Sequence, residues 1–261
     1  MTDFAVSNDG TRIAFDRLGE GPPVVLISGI FCTRTTTQAL AEELAQRFSV
    51  INYDRRGRGE STDTAPYAVE REIEDLGALI AEAGGAASVY GHSSGAGLAL
   101  NGAAAGLPIE RLILHEPPYG PDDEESRRGA RELARQVSDA VADDRHADAI
   151  KLFLGAMGMP PERAEGAASD PGMLAVAPTM PYDHAVMDDL DRGGAVPEDL
   201  VGAVGAPTLV IAGAASPDFF RDAAIRISDL LADGEYALLE DQDHGAPAEV
   251  VGPVVAEFLS R

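Results

Sequence analysis

The chain has 261 residues, 45% of them hydrophobic, and carries 44 acidic against 20 basic residues for a net charge of -24. That length and apolar content fit one large domain, with or without an insertion, and exclude a disordered chain. The acidity disfavours nucleic-acid phosphates and anionic membrane surfaces, so neither is expected as a partner.

The first expected element is a β-hairpin over residues 4–18, with Ala5-Val6 and Ile13-Ala14-Phe15 flanking the turn signal Asn8-Asp9-Gly10. Val24 to Ile27 is a continuous apolar run, the pattern of a strand buried on both faces. A helix follows over Gln38 to Phe48, then a strand from Val50 to Tyr53, then a helix over Ala68 to Ala83. Ala86 to Tyr90 leads as a strand into Gly91-His92-Ser93-Ser94-Gly95 and a small-residue helix, and Leu112 to His115 is the next buried strand. From Pro121 to Leu200 no buried strand is evident; the segment is acidic, helix-prone and broken by Pro and Gly. The strand pattern resumes at Thr208 to Ala212, with a helix over Asp218 to Leu231, a last strand at Tyr236 to Leu239 and a last helix from Pro247 to Leu259. The alternation predicts an α/β fold with a mostly parallel sheet and helices on both faces. The helical stretch reads as an insertion above the carboxyl ends of the strands, where open α/β sheets bind ligands.

Gly91-His92-Ser93-Ser94-Gly95, between a strand and a helix, fits a nucleophile elbow. The glycines admit a turn too tight for Cβ atoms beside the serine. Ser93 is then the candidate nucleophile, and the Ser94 N–H lies beside it at the helix start. A serine nucleophile needs a base. His244 follows the last strand, at the same sheet edge, and can take the Oγ proton and return it to a leaving group. Two carboxylates are candidates for the group that orients His244. Glu116 ends the Leu112–His115 strand; Asp218 lies after the Thr208–Ala212 strand but also at the start of a helix. Triad geometry, taken as the criterion rather than chain order, favours Glu116. The second oxyanion amide is expected from the loop Ser28-Gly29-Ile30-Phe31-Cys32, with Ile30 N–H as donor. Asp54-Arg55-Arg56-Gly57-Arg58-Gly59-Glu60-Ser61 reads as a tight loop of structural ion pairs.

The single cysteine, Cys32, permits no disulfide within the chain and agrees with a reducing cytoplasm; it is read as a small packing residue. The N-terminus has no basic and apolar signal-peptide pattern, and no apolar run approaches the roughly 18 residues that span a bilayer. Five dispersed histidines give no metal-ligand spacing. Both a monomer and a homodimer are open.

The nucleophile pentapeptide, the Asp54–Ser61 loop, Gly29 and His244 together resemble proteins of the α/β-hydrolase fold, over almost the whole chain. The resemblance implies an eight-stranded, mostly parallel sheet, a core domain of residues 1–117 and 201–261, a helical cap over 118–200 and no cofactor. It maps the nucleophile to Ser93, the base to His244 and the oxyanion amides to Ile30 and Ser94. The chain departs from the pattern twice. Ser28-Gly29 stands where His-Gly is usual, which keeps the amide, and Ser216 stands where the acid usually follows the penultimate strand. Glu116 matches the alternative acid position of haloalkane dehalogenases of this fold, whose nucleophile is an aspartate; Ser93 argues against that chemistry.

The expected activity is serine hydrolysis of a small, largely apolar ester, lactone or thioester, with Phe31, Phe153, Met157, Met159 and Met187 as candidates around the acyl group and Tyr182 and His184 as further contacts. The same fold also hosts C–C bond hydrolases, acyl transferases and cyclases, and a non-catalytic small-ligand binder is the remaining alternative.

Overall fold

Asn8, Asp9 and Gly10 turn the chain back on itself near the start of the computed structural model, which describes residues 2–261. Gly10, at φ 86°, supplies the left-handed conformation this turn requires. Strands β1 (Asp3–Val6) and β2 (Arg12–Leu18) pair antiparallel across it. There follow β3 (Pro23–Ile27), α1 (Gln38–Leu44), β4 (Ser49–Tyr53), α2 (Val69–Glu82), β5 (Ala87–His92), α3 (Ser94–Ala104) and β6 (Ile109–His115). Helices α4 (Glu124–Ala142), α5 (His146–Ala156), α6 (Pro161–Ala167), α7 (Pro171–Val176), α8 (Met180–Val186) and α9 (Glu198–Ala203) then separate β6 from β7 (Thr208–Gly213). The chain ends with α10 (Asp218–Leu230), β8 (Gly234–Leu239) and α11 (Ala248–Leu259).

The strands form one eight-stranded sheet in the order β1-β2-β4-β3-β5-β6-β7-β8. Only the pairings made by β2, with β1 and with β4, are antiparallel; β3 through β8 run parallel. Both faces are covered, which is why the central strands read as unbroken apolar runs. On one face Val25, Ile27, Val89 and Leu114 meet Leu76 and Ile80 of α2, Leu98 and Leu100 of α3, and Ala224 and Ile227 of α10. On the other, Val24, Leu26, Ile113 and Ile211 meet Leu40 and Leu44 of α1 and Val251, Val255 and Phe258 of α11. The alternation of Val24 and Leu26 against Val25 and Ile27 is the two-residue period of a strand seen from its two covered faces.

The α4–α8 segment has its own apolar cluster, built on Val137, Ala140, Ile150, Leu154 and Met180, and Ile30 and Phe31 of the loop after β3 pack against it. The insertion therefore rests on the carboxyl edge of the sheet. Its helices start at Asp123, which accepts from the amides of Glu125 and Ser126, and at Asp170, which accepts from the amide of Met173. Helix α9 returns to the core, with Val201 packed among the α3 and α10 residues. Among the described residues no helix is long and apolar enough to cross a membrane.

Candidate active site

Parallel register brings the ends of β5, β6 and β7 side by side. His92 pairs with His115, and His115 with Ile211. The chain then leaves β5 and β6 under strain: Ser93 has φ 57° and Glu116 φ 49°, both in the region L-residues avoid. Ser93 sits between β5 and α3, with its own N–H donated to the His115 carbonyl at 2.9 Å. The flanking glycines are obligatory on steric grounds. A Cβ at Gly91 would lie 2.3 Å from the Gly95 carbonyl oxygen, and one at Gly95 would lie 2.5 Å from that of Ile27. Gly29 lies against the serine as well, where a Cβ would come within 2.8 Å of the Ser93 Cβ. The Gly29–Ile30 backbone therefore runs beside Ser93 Oγ, and Phe31 next to it adopts φ 61°.

Glu116 is fully buried, and both of its carboxylate oxygens are engaged. Oε1 accepts from the Gly213 amide at 2.7 Å, and Oε2 lies 2.6 Å from His244 Nδ1. Burial opposes ionisation of this carboxyl, but hydrogen bonds from His244 and the Gly213 amide favour the charged form, and its pKa is held below the usual glutamate value. Ser216 Oγ is buried without a hydrogen-bond partner. With Nδ1 committed to Glu116, Nε2 is the imidazole nitrogen left for proton transfer. His244 is held in two further ways. Its ring stacks on Phe220, centroids 4.7 Å apart, and its carbonyl accepts from His92 Nε2 at 3.0 Å. A carbonyl can only accept, so His92 carries its proton on Nε2; burial pushes its pKa down to about 4, and it stays neutral. Asp218 lies apart from this group. It is the first residue of α10, 82% exposed, and paired with Arg221.

The arginine loop reaches further than ion pairs within the core. Asp54 takes the Arg34 amide and the Glu60 amide, and Arg56 pairs with Asp75 and Asp9, as expected of a structural loop. Arg55 and Arg58, however, converge on Asp183 of α8, at 2.6 and 2.5 Å. Asp183 also accepts from Ser94 Oγ at 2.6 Å, and Arg58 donates to the Gly29 carbonyl at 2.7 Å. Glu72 takes the other side of Arg55 in a bidentate pair, both contacts at 2.7 Å. Sequence reading missed Asp183. It sits mid-helix with no local motif, and the loop arginines are its only signal.

Phe31 and Phe153 meet edge to face at 5.6 Å, and Phe153 meets His184 at 5.9 Å. His184 is buried; its Nδ1 lies 2.5 Å from Asp189, and its Nε2 has no protein partner. Tyr182 instead stacks on Tyr67 at 3.7 Å and donates to Asp63, so it anchors the insertion to the core. Met187 packs over Gly97 of α3, while Met157 is exposed. Cys32 is half-buried, and burial pushes its thiol pKa up, away from the reactive thiolate. Among the described residues no cluster of His, Cys, Asp and Glu has the arrangement to hold a metal ion.

A family model described as "Alpha/beta hydrolase family" matches residues 24–256. Among solved structures, an alpha/beta hydrolase from Sphaerobacter thermophilus is 46% identical, with a TM-score of 0.88, over 98% of this chain and 100% of that one. A thermophilic esterase from Thermogutta terrifontis is 24% identical, with a TM-score of 0.72, over 100% and 98% of the two chains; at that identity the likeness is one of fold. An uncharacterized protein of Mycobacterium tuberculosis is 37% identical over 109 residues, which is 40% of this chain and 32% of the relative, so the match spans about a third of that protein's length.

Proposed function

The chain belongs to the alpha/beta hydrolase family, and from that premise we propose that it is a serine hydrolase cleaving a small, largely apolar ester, lactone or thioester through an acyl-enzyme on Ser93. Ser93 Oγ attacks the carbonyl carbon while His244 Nε2 takes its proton. The tetrahedral oxyanion is received by the amides of Ile30 and Ser94. Collapse breaks the bond to the leaving oxygen or sulfur, which departs with the proton from His244. A water molecule, deprotonated by the same nitrogen, then attacks the acyl-enzyme and releases the acid and free Ser93. Glu116 holds the imidazole tautomer and balances the imidazolium charge.

The observation that carries this reading is the Glu116–His244 contact at 2.6 Å, with the second carboxylate oxygen pinned by the Gly213 amide. A buried carboxylate fixed at both oxygens and aimed at an imidazole, at the sheet edge that also carries the strained Ser93, supports a role in orienting a base. The preference for an apolar acyl group is supported by Ile30, Phe31 and Phe153, which line the seam between the oxyanion loop and the α4–α8 cluster. In this reading residues 118–200 form the cap over the site. The test is intact mass after incubation with a fluorophosphonate. One adduct per wild-type chain, absent in Ser93→Ala and His244→Ala, is the expected result. A folded wild type left unlabelled would return the protein to the non-catalytic binder.

A further inference from the structure

We infer that Asp183 and Arg58 are positioning residues that set the oxyanion hole from the helical insertion. The inference deepens the serine-hydrolase reading and rests on it for the identity of the hole. In a trans peptide the C=O and N–H of one unit point in opposite directions in one plane. The carbonyl of Gly29 and the amide of Ile30 belong to the same unit. Arg58 Nη1 donates to the Gly29 oxygen at 2.7 Å, which fixes the direction in which the Ile30 N–H points. A charged donor on the carbonyl also polarises the peptide and strengthens its N–H as a donor. The Cys32 amide adds a longer bond to the same oxygen, at 3.3 Å.

The guanidinium is itself held in place. Nη2 donates to Asp183 at 2.5 Å and Nε to Thr179 Oγ1 at 2.9 Å, both partners lying on the insertion. The other Asp183 oxygen accepts from Ser94 Oγ, at 2.6 Å, and Ser94 carries the second oxyanion amide. One buried carboxylate thus reaches both donors, one directly and one through Arg58. Arg58, Asp183 and Ser94 are all buried, so these bonds are shielded from competing water. Seating the insertion and forming the hole become one event.

The test has two readouts on Asp183→Asn, Arg58→Lys and Ser94→Ala, with Asp75→Asn as control. Asp75 makes a comparable buried pair with Arg56 that does not touch the oxyanion loop. The first readout is the Ile30 amide proton and nitrogen shift in the free protein. It should move upfield in Asp183→Asn and Arg58→Lys and stay in place in Asp75→Asn. The second is ester hydrolysis and inhibition by phenylboronic acid. In the three variants kcat should fall about 10- to 1,000-fold and boronate affinity should fall in parallel, while KM changes little. An unmoved Ile30 amide in both folded variants overturns the inference whether or not the protein hydrolyses esters. So does a loss confined to KM. A moved amide in a protein that turns over no ester counts against the serine-hydrolase reading alone.

Discussion

Position 216, after the penultimate strand, holds a serine, and the carboxylate that meets His244 is Glu116, one strand over. The two positions meet through Gly213, whose amide donates to Glu116 Oε1 at 2.7 Å and whose carbonyl accepts from the Ser216 amide at 3.3 Å. Replacing Glu116 by Gln keeps the shape but presents the wrong hydrogen-bond complement to His244 Nδ1. We expect kcat for an ester substrate to fall by about 10⁴-fold with KM little changed. Adding Ser216→Asp to that variant should restore part of the lost rate, since it returns a carboxylate to the same pocket; a double variant no faster than Glu116→Gln would mean that position 216 cannot reach the imidazole. A second residue-scale effect concerns His92, whose pKa burial lowers from 6.5 to about 4. Below pH 6.5 the unfolded chain takes a proton that the folded one refuses, so stability is full above 6.5 and is lost as pH falls towards 4. His115 is pushed down by burial too and acts in the same direction. Melting temperatures of wild type and His92→Gln, followed from pH 7 to pH 5, should diverge least at the acid end, with the variant showing the flatter profile.

At the scale of elements, the strands and the helical character of the insertion were legible and the insertion's contacts were not, for physical reasons. Val24–Ile27 and Leu112–Leu114 are covered on both faces, so their apolar runs are continuous and unmistakable. The turn at Ser93 and the strand end before His244 were legible because both leave local marks in the sequence. The α4–α8 segment is a set of helices with its own small core, and its polarity and Pro/Gly breaks announce helices without saying which of their side chains meet the core. Asp183 meets Arg55 and Arg58 across 128 and 125 residues, and no local pattern encodes such a pairing. Steric demand separates two kinds of glycine among these elements. At Gly91 an added methyl would meet the Gly95 oxygen and the Ala96 Cα, backbone atoms that cannot swing away. Gly91→Ala should cost about 1–3 kcal/mol in urea-unfolding stability, or more, and disturb Ser93 labelling. Gly129, inside α4 with open space around its position, is the opposite case. Gly129→Ala should stabilise by about 0.5–1 kcal/mol and leave labelling unchanged.

For the molecule as a whole, the distribution of charge decides how stability responds to salt. The formal net charge of -24 must sit largely at the surface, because the buried ionic groups nearly cancel: Arg55, Arg56 and Arg58 stand against Glu72, Asp75 and Asp183, which leaves only Asp54 and Glu116 as buried excess. Added salt screens exposed charges and reaches buried pairs far less, the Debye length falling from about 30 Å at 0.01 M to about 3 Å at 1 M. Exposed attractive pairs such as Arg192–Asp199 and Arg261–Glu235 are weakened too, but each such pair contributes about 0–1 kcal/mol at most. With 44 acidic residues against 20 basic ones, carboxylates outnumber the cations that could pair with them more than two to one, so repulsion is the larger quantity removed. Raising NaCl from about 0.01 M to about 0.5 M at pH 7 should therefore raise the melting temperature, by about 2–4 °C for each kcal/mol of repulsion relieved. A calorimetric series that instead showed a fall would place the net stabilising electrostatics in the surface pairs and would contradict the assignment of the strong ion pairs to the buried Arg55–Arg58 loop.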